Sequence, residues 1–335
     1  MSAERIEKLL KESMEKQVPV PRKAIKNIKE DSFSKKLRRF DNIEIQFPFI
    51  NQSGVYINTN ENGTADSFKT LTSLPSIAEP FHFGFSGWHN FDIIIQRHSS
   101  RAIICDINPE NALFLSYVLK YLRLFEDKDM FIQKMTQFVK ERNYAGDRVL
   151  THNRNAVSSK SIKFSFNTSD EEPYSGLNHM SLLDEISIEE ERETSWLYTK
   201  ERYAYIRKLA LQDKIAIITE NICKSTTFSA ICRFLTENSM QIDTVYVSNI
   251  KEWISTTDQR EQFLKTIQCL LTESETILID AQKTDNENSA PTQRCIIKKA
   301  LNEQYSLKKW FFSDNSKLQL EEKQNIDSLQ SLVNS

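Results

Sequence analysis

The stretch PFHFGFSGWHNFDIIIQRHSSRAIICD, residues 80–106, decides the fold. An apolar run from Pro80 to Phe85 enters a glycine-bearing turn, a helical segment from Trp88 to His98 follows, and a second run from Arg101 to Asp106 ends on a carboxylate. Runs that are apolar at nearly every residue belong to strands covered on both faces, and the segment between them has the length of a crossover helix. Pro109 then stands at the first turn of another helical segment, reaching Leu124, where its missing N–H costs nothing. The unit reads as strand, helix, strand, helix.

The same rhythm returns later. Ile215 to Glu220, Thr244 to Asn249 and Thr276 to Ala281 are short apolar runs, and Ser225 to Glu237 and Asp258 to Leu271 are amphipathic segments between them. Right-handed crossovers then predict an α/β fold with a doubly wound, mostly parallel, Rossmann-like sheet over residues 76–315. Residues 1–75 read as an N-terminal helical and basic arm, opening with Ile6, Leu9, Leu10 and Met14 at helical spacing. A helical insertion is predicted at about 125–213, with helices over Asp129 to Asn143 and Trp196 to Gln212 and a mobile loop over Tyr144 to Asn178. The run Trp310-Phe311-Phe312 reads as a buried final strand, and residues 316–335 as a polar tail.

Composition excludes several classes. The 335 residues are 39% hydrophobic and 27% charged, which rules out disordered and fibrous chains. A net charge of -2 gives no field to gather nucleic acid, and no segment approaches the roughly 20 apolar residues of a membrane span. Nor is there an apolar segment near Met1 that a signal peptide would need. Five cysteines, none spaced as Cys-x-x-Cys, read as reduced core thiols. His82, His89 and His98 lack metal-site spacing, so no metal is expected. A basic run from Arg22 to Arg39 and an acidic one from Asp170 to Glu193 read as solvated faces.

In a doubly wound sheet, ligands bind beyond the carboxyl ends of the strands. Four places qualify here. The first strand leads to Gly84-Phe85-Ser86-Gly87, which uses two of only six glycines. The second ends at Asp106, 22 residues beyond Gly84, at the spacing of an acid that accepts from ribose hydroxyls. The third ends at Glu220-Asn221 and the fourth at Ser248-Asn249. The glycine turn lacks the Gly-x-Gly-x-x-Gly pattern of a pyrophosphate cradle, so a nucleoside without phosphates suits it better than a dinucleotide.

The runs Phe83 to Phe91, Ala102 to Asn108, Glu201 to Ile206 and Thr244 to Asn249 resemble an uncharacterised family of bacterial and plant proteins. That family has a Rossmann-like core of the class I methyltransferase type. The resemblance implies that Asn90-Phe91 opens the first helix, that Asp106 closes the second strand, and that Ser248 and Asn249 occupy the substrate side. It further implies S-adenosylmethionine as cofactor, with Gly84, Gly87, Asp106 and Glu220 binding it, Glu220 contacting the adenine amino group where an Asp is usual. Gly84-Phe85-Ser86-Gly87 departs from the family's Gly-x-Gly-Pro-like run.

Two functions follow from these residues. One is a methyltransferase whose substrate the sequence does not name, a protein included. The other is a non-catalytic interaction protein that kept the fold and lost the ligand. The abundance of Lys, Asn, Ser and Ile, together with the polar tail, resembles signals read by type IV secretion systems, so delivery into a host cell is compatible with both.

Overall fold

A computed structural model of the protein describes residues 33–42, 57, 59, 61–141, 186, 189–283, 290–304 and 306–312. The expected amino-terminal helix, the loop at Tyr144 to Asn178 and the tail at 316–335 lie outside the described residues. Six strands form one sheet: β1 (Phe81–Phe85), β2 (Arg101–Asp106), β3 (Ile215–Thr219), β4 (Ile242–Ser248), β5 (Ile277–Gln282) and β6 (Thr292–Ile297). Their order is β3-β2-β1-β4-β5-β6, parallel except for β6, which runs antiparallel to β5. The fold is therefore α/β with a mostly parallel sheet, and the strand order reverses direction between β1 and β4. β1 is buried at every residue, as a strand with a neighbour on each side and helices on each face must be.

Beside two short 3-10 turns, at Arg38–Phe40 and Ile250–Trp253, the described residues include the α-helices α1 (Phe33–Leu37), α2 (Thr64–Ser73), α3 (His89–Arg97), α4 (Pro109–Leu124), α5 (Lys128–Glu141), α6 (Lys200–Leu211), α7 (Ser225–Glu237), α8 (Thr257–Leu270), α9 (Lys298–Gln304) and α10 (Leu307–Phe312). Local chemistry sets several of their ends. Thr199 caps α6 by accepting from the Arg202 N–H, and Thr256 with Gln259 makes a reciprocal capping box on α8. Two apolar layers sandwich the sheet. Residues of α3, α4, α5 and α6 pack on one face, and those of α7, α8 and α10, with Leu37 of α1, pack on the other.

Three sequence expectations are corrected. Trp310-Phe311-Phe312 lies in helix α10, where Trp310 and Phe311 are buried and Phe311 meets the Phe263 ring edge-on at 4.9 Å between centroids. The last strand is instead β6, which the sequence hid because Thr292-Gln293-Arg294 interrupts its apolar residues. The acidic run before Glu193 is not wholly a solvated face: Glu189 is fully buried, accepting from Arg192 and from the Ser195 hydroxyl.

The described ends of the insertion belong to the core. Trp196, fully buried, sits among the rings of Trp88, Phe91, Phe131 and Tyr203. Burying a side chain of this size contributes about 3 kcal/mol, enough to hold the insertion's return against α3. At the opposite, amino-terminal end of the sheet, Arg97 makes a buried bidentate pair with Asp243 at 2.8 Å and donates to the carbonyls of Leu71, Leu74 and Pro75. The connection from α2 to β1 is thereby tied to α3 and β4. No described helix is long and apolar enough to cross a membrane.

Candidate functional site

The carboxyl edge of the sheet is built around an internal amide. Asn90, on α3, donates from Nδ2 to the carbonyls of Phe85 and Gly87 at 2.9 and 2.6 Å, and shares its Oδ1 with His82 Nε2 at 2.9 Å. His82 Nδ1 in turn meets Thr244 Oγ1 at 2.8 Å. Burial pushes the His82 imidazole down to about 4, so the ring is neutral at physiological pH. Gly84 lies inside β1 rather than in the turn, paired with Ile104 and Tyr246. A Cβ there would fall 1.7 Å from Asn90 Oδ1, which explains why this position is glycine. The left-handed residue of the turn is not a glycine but Ser86, at φ 74°.

Asp106 and Glu220 stand side by side at the ends of neighbouring strands. Their backbones are joined by a hydrogen bond from the Glu220 N–H to the Asp106 carbonyl, 3.0 Å long. The Asp106 carboxylate accepts from the Asn108 backbone N–H and from Asn111 Nδ2, which fastens the turn into α4. Burial raises its pKa to about 6 against the pull of these donors. Glu220 accepts from Asn42 Nδ2, from the Asn221 N–H and from Thr227 Oγ1. It lines a surface groove of about 430 Å³ together with Arg39, Phe40, Asn42 and Thr226. Burial, with the charges of Asp106 and Glu220, holds the neighbouring Cys105 thiol well above its ordinary pKa, which makes it a poor nucleophile.

Across β1, on the other flank of the strand-order reversal, the last residue of β4 is Ser248. It is also left-handed, at φ 52°. Its hydroxyl donates to Glu61 Oε1 at 2.5 Å, beside the Tyr246 hydroxyl, which donates to the same oxygen at 2.9 Å. Gln293 of β6 donates from Nε2 to Glu61 Oε2 at 2.8 Å and lies 3.1 Å from His89 Nε2. The opposite nitrogen of His89 meets Asp92 at 2.9 Å, and Asp92 accepts from Arg192 and from the Trp196 N–H. Burial raises the Glu61 pKa, with the His89 and hydroxyl contacts opposing it. Asn249 sits at the rim of this cluster: its Oδ1 lies 3.3 Å from the Ser248 hydroxyl, and its Nδ2 donates to Glu252 at 3.1 Å on the surface.

The sequence pointed to Gly84, Gly87, Asp106 and Glu220 on one flank and to Ser248 and Asn249 on the other, and all six lie at the carboxyl edge. Sequence reasoning missed Glu61, His89, Tyr246 and Gln293. Glu61 and Gln293 come from segments with no motif, 232 residues apart, and nothing in local spacing announces their meeting. A third charged group sits within β5, level with Ser248 of β4. Asp280 pairs bidentately with Arg294 at 2.9 Å and lies 3.5 Å from Lys251 Nζ, which is nearly buried. No group of three or more His, Cys, Asp or Glu side chains poised to hold a metal ion occurs among the described residues.

A family model for a domain of unknown function, DUF7790, matches residues 56–332. The chain belongs to that family. No curated protein matches it. The stretch common to the family runs from before Glu61 to beyond β6, so it contains both flanks of the carboxyl edge: Asp106 with Glu220, and Ser248 with Glu61 and Gln293.

Proposed function

We propose that the protein binds a nucleoside, S-adenosylmethionine, over the carboxyl ends of β2 and β3, and acts as a methyltransferase on a substrate held beyond β4. The observation that carries this reading is the pair Asp106 and Glu220, two buried carboxylates on adjacent strand ends joined through their backbones at 3.0 Å. A carboxylate offers about four acceptor sites. At Asp106 the N–H groups of Ile107 and Asn108 and the Asn111 amide take three, and at Glu220 Asn42, Asn221 and Thr227 take three. Each acid keeps room for one further donor, which suits a ribose hydroxyl at Asp106 and an adenine amino group at Glu220. When bound, S-adenosylmethionine supplies a methyl group activated on a sulfonium. The chain's own part is orientation, with Ser248 and Asn249 presenting polar atoms to the substrate.

One observation favours the non-catalytic reading. The space over Gly84 is filled by the Asn90 amide, so the turn after β1 offers no open cradle for a ligand. Under either reading, the composition and polar tail support export into a host cell, which a translocation reporter fused to residues 316–335 tests.

Calorimetry with S-adenosylmethionine and S-adenosylhomocysteine decides between the two functions. Of the four tryptophans only Trp253, 53% exposed, stands in water, just beyond Asn249, so its emission gives a second readout at the same edge. Saturable heat with a change in emission supports the nucleoside site. Silence in both overturns it in favour of the interaction protein.

A further inference from the structure

We propose that Ser248 is a nucleophile and Glu61 its general base, forming an acyl-transfer site for carboxylic esters on the β4 flank of the carboxyl edge. The geometry is that of an activated hydroxyl. Nucleophile and base are in hydrogen-bond contact at 2.5 Å, and the base is itself oriented by further groups, Tyr246 on the shared oxygen and Gln293 on the other. The serine ends a parallel strand at φ 52°, a conformation costing a non-glycine residue about 1–3 kcal/mol that survives only where the surroundings enforce it. A serine held on a strained turn after a strand is also the way a sheet edge presents a nucleophile. Gln293 adds a second pointer: its Oε1 is buried with no hydrogen-bond partner among the described residues. An acceptor in that state is open to a donor group on an incoming molecule.

The step balances without a co-reactant beyond water. Ser248 Oγ bonds to the ester carbonyl carbon as its proton passes to Glu61 Oε1. The bond from that carbon to the alcohol oxygen then breaks, the leaving oxygen takes the proton from Glu61, and the acyl group stays on Ser248. Water repeats the sequence: its proton goes to Glu61, the acid departs, and the proton returns to Ser248. Burial raises the Glu61 pKa, which brings the carboxylate towards the strength a base needs near neutral pH.

The site does not depend on the nucleoside reading, and its test uses no nucleoside. Purified full-length protein is treated with a fluorophosphonate, whose phosphorus accepts a serine oxygen and expels fluoride, and the labelled residue is located by peptide mass spectrometry. We expect wild-type protein to label at Ser248 at least tenfold faster than at the exposed Ser274 in the same digest. Ser248→Ala removes that label, and Glu61→Gln slows it tenfold or more in protein whose cooperative melting shows that it is folded. Absence of label at Ser248 in folded wild type overturns the proposal, as does an equal rate in folded Glu61→Gln. The first of these needs no variant, so a misfolded mutant does not leave the matter open.

Discussion

Ser248 and Glu61, 187 residues apart in sequence, are in hydrogen-bond contact, so the end of β4 is fastened to the segment that precedes α2. Glu61 collects three buried donors, from Ser248, Tyr246 and Gln293. Each donor stranded without an acceptor costs about 1–3 kcal/mol. Glu61→Ala is therefore expected to lose about 3–6 kcal/mol in urea unfolding. Tyr246→Phe removes a donor along with its bond and should lose only about 1–2 kcal/mol. A loss below 1 kcal/mol for Glu61→Ala would mean that water replaces the carboxylate freely.

Gly84 and Asn90 make a lock whose parts depend on each other. A methyl group at position 84 would meet Asn90 Oδ1 at 1.7 Å and His82 Nε2 at 2.6 Å, so the amide must leave the turn and give up its bonds to Phe85 and Gly87. Gly84→Ala is expected to cost about 3–5 kcal/mol, from overpacking plus stranded carbonyls. Adding Asn90→Ala removes the closer of the two clashes and leaves the one with His82, so the double variant should lose less than the sum of the singles by about 1–3 kcal/mol. Additive losses in a denaturation cycle would contradict the lock.

His82 sets a pH window. Its folded pKa, about 4, lies below the usual 6.5, so the unfolded chain binds more protons between those values. The group's share of stability is thus complete above pH 6.5 and falls by about 3 kcal/mol as pH drops to 4. Asp106, raised to about 6 by burial, works the other way, gaining its proton more readily when folded. The two partly cancel in the wild type. In His82→Gln the first contribution is gone, so the stability gap between variant and wild type should shrink by about 3 kcal/mol from pH 7 to pH 4. A gap that stays constant would show the imidazole to be hydrated.

The sheet was legible because its strands are buried on both faces and announce themselves as apolar runs; β1 to β5 are all found where Phe81, Ile103, Ile217, Val245 and Ile279 predict them. The edge strand β6 was not, since residues such as Gln293 and Arg294 break the apolar pattern and take their roles from partners elsewhere, Glu61 and Asp280. Helix α10 was misread for a related reason: three successive aromatics satisfy a strand pattern, and only the Phe263 and Asp280 contacts favour one turn of helix. In the candidate site, strand ends marked Asp106, Glu220 and Ser248. Their side-chain partners come from long-range contacts that no local spacing encodes.

Asp106 is the residue on which the nucleoside reading stands most exposed. It has one acceptor site to spare, and a charge-assisted bond to a ribose hydroxyl contributes about 1.5–3 kcal/mol. Asp106→Ala should then weaken nucleoside binding about tenfold to a hundredfold, at 1.4 kcal/mol per decade. The same change releases the Asn108 N–H and the Asn111 amide at the start of α4, so a stability loss of about 1–2 kcal/mol comes with it. Asn111→Ala separates the two effects, because it loosens the turn while leaving the carboxylate in place. If Asp106 serves the ligand, calorimetry will find Asn111→Ala binding within a fewfold of wild type and Asp106→Ala far weaker. If both variants lose stability alike and neither changes ligand affinity, the carboxylate serves only to tie β2 to α4.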